Sequence, residues 1–195
     1  MIRDDLLTGP PGETAGAALA RLNEFNNALH GSDWIYQVEY RPVGAHALVE
    51  AEHYLKTTLP PSYVRLLSAY GLPLLRYGKD GRPGPLLLEP GELRRGDFYL
   101  WEEDYLDHVP VEERDAVMDR LRNSVSFRRP DEGADNYDMF RTDMVNADGE
   151  MPVTSYQHDM VYVDPERFAT FDRYIAALVD KYNRKQAAAG PDYFQ

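Results

Sequence analysis

Between Thr14 and Leu29 the apolar residues Ala18, Leu22, Phe25 and Leu29 return at helical spacing, and Gly31 stands where such a helix would stop. The period then changes. Trp34, Tyr36, Val38 and Tyr40 alternate with Ile35, Gln37, Glu39 and Arg41, which predicts a strand ended by Pro42. This helix and strand, with a lead-in broken by Gly9-Pro10-Pro11-Gly12, form an expected N-terminal extension over residues 1–44. A second helix over Ala45–Thr57 puts Leu48, Ala51 and Leu55 on one face. Pro61 opens a third, because the N–H it lacks is unbonded in a first helical turn anyway. Tyr63, Leu66, Leu67 and Tyr70 form the apolar stripe of that helix, and Gly71 suits a left-handed cap.

Residues 72–110 are less regular, with turn signals at Gly78, Asp80-Gly81 and Pro83-Gly84-Pro85 and a short buried strand expected at Leu86–Leu88. Pro110–Arg122 reads as a helix, with Glu112 and Glu113 in its first turn and Val117 and Leu121 on its inner face. Strands are predicted at Ser124–Arg128, Tyr137–Thr142, Val153–Tyr156 and Met160–Val163. Asp164-Pro165 offers a cap and a first-turn proline for a last helix with the seam Phe168, Phe171, Ile175, Leu178 and Tyr182. Residues 186–195 are expected to fray. Helices, then several short strands, then a closing helix define an α+β class. The expectation is a twisted, mainly antiparallel sheet with helices packed on one face, its main domain over residues 45–185.

Charge narrows the classes of partner. The 195 residues carry 33 acidic and 21 basic side chains, a net charge of −12. A surface of that sign repels nucleic acid and anionic membrane and steers toward basic proteins. No run approaches the ~18 apolar residues of a membrane span. The opening MIRDDLLTGPPGE places acids where a secretory signal has a basic end, so a soluble, cytoplasmic protein is expected. Without cysteine there is no thiolate nucleophile, disulfide or Cys-based metal site.

Catalytic motifs are missing from the sequence. There is no G-x-S-x-G elbow, no G-x-x-x-x-G-K-[ST] and no G-x-G-x-x-G. Glu50 and His53 have the Glu-x-x-His spacing of di-iron bundles, but no second copy exists. Asn146-x-Asp148-Gly149 lacks the remaining ligands of a calcium loop. No catalytic residue, cofactor or metal ligand is assigned, and a non-enzymatic protein is expected. Two acidic patches remain as candidate partner-binding surfaces. One is Glu102, Glu103, Asp104 and Asp107 interleaved with Tyr99, Trp101 and Tyr105; the other is Asp131, Glu132, Asp135 and Asp138 around Tyr137. Aromatic rings beside carboxylates suit an interface with lysine or arginine across it.

Glu52-x-x-Leu55-x-x-x-Leu59-Pro60-Pro61-Ser62-Tyr63-x-x-Leu66-Leu67-x-x-Tyr70-Gly71 resembles the signature of the SUKH (Smi1/Knr4-like) superfamily. Pro152-Val153-x-x-Tyr156-x-His158-Asp159, followed by a short strand and a helix near Phe168, is similar to the family's C-terminal part. The match brackets Ala45 to about Arg184 and leaves residues 1–44 outside it. Where the family has a glycine-rich segment, this chain holds Phe127–Asp135 with the single glycine Gly133. The resemblance implies an α+β fold and a non-enzymatic role, in bacteria often that of an immunity protein that blocks a cognate toxin domain, commonly a nuclease. The other role it implies is a regulatory or scaffold module with a non-toxin partner. The signature residues themselves read as fold determinants, which leaves partner contacts to the loops.

Overall fold

A computed structural model of the chain describes residues 4–30, 36–78, 81–99, 109–130, 136–157, 162–163 and 168–189. In chain order the elements are α1 (Asp4–Leu7), α2 (Ala15–His30), β1 (Tyr36–Arg41), α3 (Ala45–Leu55), α4 (Pro61–Ala69), β2 (Leu72–Tyr77), β3 (Gly84–Pro85) and β4 (Arg94–Arg95). They continue with α5 (Val111–Arg122), β5 (Ser124–Arg128), β6 (Tyr137–Arg141), β7 (Val153–Gln157), β8 (Tyr162–Val163) and α6 (Phe171–Ala189). The fold class is α+β, with every strand pair antiparallel. Two sheets share the strands, in the orders β1-β2-β3 and β4-β5-β6-β7-β8. The segment after β3 ties them together: the Leu86 N–H donates to Pro73 O of β2 and the Leu88 N–H to Phe127 O of β5.

β2 is the strand that the pattern of residues hides, because Pro73 lies inside it and in the middle of its sheet. The register explains how it is tolerated. Both the N–H and the C=O of Val38 on β1 go to the side chain of Asn23 on α2, at 2.8 and 3.0 Å. Val38 therefore sits at a position with no ladder bond to β2, and Tyr40 opposite Pro73, two residues on, repeats that position. The proline removes no bond to β1, while Asn23 covers the outer edge of β1 against pairing with another chain. Gly71, just before β2, has φ +99°, and a Cβ there would run into the backbone carbonyl of Arg41.

The main core lies between the sheets and the helices α2, α3, α4 and α6. Tyr63 of α4 meets Phe140 and Phe171 edge-on at 5.4 Å each, and Phe127 stacks on Phe140 at 4.1 Å. Leu19 and Leu22 of α2 belong to this same core, and Arg21 bonds both Glu13 and Asp180 of α6 at 2.7–2.8 Å. α2, from the segment that the sequence sets apart as residues 1–44, thus packs into the same core as α3, α4 and α6.

Strand alternation turns the opposite face of the five-stranded sheet toward a second, smaller cluster of Val109, Val117, Leu121, Tyr137, Met139 and Tyr156. Because α5 covers that face with Val117 and Leu121, the helices lie on both sides of this sheet, where one side was expected. The expected strand at Leu86–Leu88 is also replaced: the ladder is at Gly84–Pro85, and Leu86 and Leu87 are buried beyond it. The last helix starts at Phe171, with Thr170 accepting from the N–H groups of Arg173 and Tyr174. Phe168 instead bridges to Val153, so the chain is still extended there; Asp164-Pro165 lies outside the described residues.

The signature stretch is held by two side-chain bonds. Glu52 of α3 accepts the Leu59 N–H at 2.8 Å, closing the turn between α3 and α4 after Lys56 takes a left-handed φ of 53°. Glu150, from the loop before β7, accepts the Ser62 N–H at 2.8 Å and the Ser62 hydroxyl at 2.5 Å, capping the first turn of α4 from a distant part of the chain. The carboxylate meets both an unpaired donor and the positive end of the helix. Glu150→Ala is expected to lower stability by about 1–2 kcal/mol in urea unfolding, with the cooperativity of the transition unchanged.

Candidate interaction surface

The first acidic patch follows a short helical turn, Gly96–Tyr99, that packs on α5 and β5. Trp101, Glu102, Glu103, Asp104, Tyr105 and Asp107 lie outside the described residues, as does the side chain of Tyr99. Their roots do not. At the start, Phe98 is 45% exposed and Arg94 of β4 lies over its ring at 5.6 Å and over the ring of Tyr54 on α3 at 5.5 Å. At the end, Val109 is buried in the second core cluster. Sequence reading missed Tyr54 and Arg94 as neighbours of this patch. The available signal was a tyrosine on the polar face of α3, outside its Leu48–Ala51–Leu55 stripe.

Asp131, Glu132 and Asp135 of the second patch also lie outside the described residues, between Pro130 and Asn136. Asp138 departs from the expectation for it as a surface contact. It is 5% exposed, because β6 has already begun at Tyr137 and alternation turns position 138 inward beside Phe140. A register shift between Ser126 and Arg128 brings Arg128 of β5 opposite it. The Asp138 carboxylate accepts from Arg128 at 2.8 Å, from the Ser155 hydroxyl at 2.6 Å and from the Tyr174 hydroxyl. Arg128 also donates to Tyr174 at 2.8 Å and Tyr182 at 3.4 Å.

The network is strongly polarised. Burial, and then the nearby Asp138 charge, push the Tyr174 phenol well above its ordinary range. Burial acts to lower the Arg128 pKa, but Tyr174, Tyr182 and Asp138 outweigh it and the net direction is up. Arg128 therefore stays charged and Tyr174 protonated across the physiological range. Arg128, Asp138, Ser155 and Tyr174 line a cleft of about 400 Å³ between β6, β7 and α6, together with Phe168, Leu178 and Lys181. The volume falls within the range of small-ligand pockets. Its carboxylate, however, is already met by three donors.

Val109, where the described chain resumes after the first patch, and Tyr137, two residues beyond Asp135, belong to one cluster with Met139, Tyr156, Val117 and Leu121, whereas Pro130 and Asn136 line the cleft beside α6. The Arg129 guanidinium lies 6.0 Å above the Tyr137 ring. Elsewhere, Glu50 pairs with His46 at 3.2 Å on an exposed face of α3, and His53 is exposed on the same helix. Among the described residues no three His, Asp or Glu side chains are grouped as a metal would require, and no helix is long and apolar enough to cross a membrane. No protein-family model matches the chain, and no curated protein matches it.

Proposed function

We propose that this chain is a SUKH-like immunity protein that binds a basic toxin domain and neutralises it through the acidic, aromatic surface of its two patches. The carrying observation is the make-up of the two runs, residues 101–107 and 131–135, which set carboxylates beside aromatic rings; one described residue near each, Val109 and Tyr137, belongs to a single buried cluster. The two runs hold seven carboxylates, Glu102, Glu103, Asp104, Asp107, Asp131, Glu132 and Asp135, on a protein whose net charge is −12. Such a concentration speeds encounter with a partner of opposite charge and disfavours wrong ones. The signature residues support the same division of labour. Glu52, Pro61, Tyr63 and Gly71 each have a structural task, which leaves recognition to the loops.

The test is co-expression with the toxin domain encoded by the neighbouring gene. Growth is expected to be protected and the two proteins to copurify. Reversing Glu102, Glu103, Asp104 and Asp107 to lysine is expected to abolish both without moving Tm. Absence of binding and of protection by the unaltered chain overturns the proposal.

A further inference from the structure

We draw no further inference here: the strongest candidate, the cleft of about 400 Å³ between α6 and the five-stranded sheet, carries nothing, because the buried Arg128, Asp138, Ser155 and Tyr174 in its lining already bond one another and nothing in the structure shows what covers it.

Discussion

Asp138→Ala is expected to lower the unfolding free energy by about 3–5 kcal/mol, because it leaves the Arg128 guanidinium buried without its counter-charge. Arg128 and Asp138 have only 10% and 8% of their side chains exposed, so solvent screens little of that loss. Ser155 and Tyr174 lose their acceptor in the same step. Replacing both partners with apolar residues of similar volume, Arg128→Met with Asp138→Leu, is expected to recover most of the stability, since neither charge then remains to be desolvated. Urea unfolding of the two single variants and the double variant forms a cycle that isolates the pair. A surface role for Asp138 predicts the opposite: Asp138→Ala with unchanged stability. That result would remove this buried pair from the account of the fold.

Tyr63 gives the second large effect, and its sign depends on the substitution. The ring is fully buried and packs edge-on against Phe140 and Phe171, so Tyr63→Ala is expected to cost about 3–5 kcal/mol. Its hydroxyl is buried with no hydrogen-bond partner among the described residues, and burial raises its pKa. Tyr63→Phe removes that unmet group and keeps the ring, and is expected to stabilise the protein by about 1 kcal/mol or more. A rise in Tm for Tyr63→Phe together with a steep fall for Tyr63→Ala separates the ring from its hydroxyl. A loss of stability in Tyr63→Phe would mean that the hydroxyl has a partner, such as a buried water. The tyrosine of the Leu-Pro-Pro-x-Tyr stretch is thus a packing residue, as its position on the inner face of a helix predicts.

Much of the scaffold was legible from local pattern. The alternation over Tyr36–Arg41, the helix at Pro61 and the strands at Ser124–Arg128 and Val153–Gln157 follow from period and from the backbone chemistry of proline and glycine. These signals are carried by neighbours a few residues apart, so one segment suffices to read them. β2 was not legible, because Pro73 argues against a central strand unless the register of β1 and the Asn23 bonds are known. The late start of α6 was not legible either, since the bridge of Phe168 to Val153 competes with helix and comes from a distant strand.

The candidate site divides in the same way. Composition alone marked the acidic and aromatic runs. Three-dimensional packing withdrew Asp138 from the surface into an ion pair with Arg128 and set Tyr54 beside Phe98 across Arg94. Each of those outcomes joins residues far apart in the chain. A strand's alternation establishes that one of its faces is buried, whereas which charge ends on that face depends on where the strand begins and what its partner strand presents. The sequence by itself determined the α+β class, the helix start at Pro61 and the sign of the net charge, because these depend on residue type and short spacing. The tertiary structure decided that Asp138 is withheld from any partner, because burial is a property of assembled elements and is written in no single one of them.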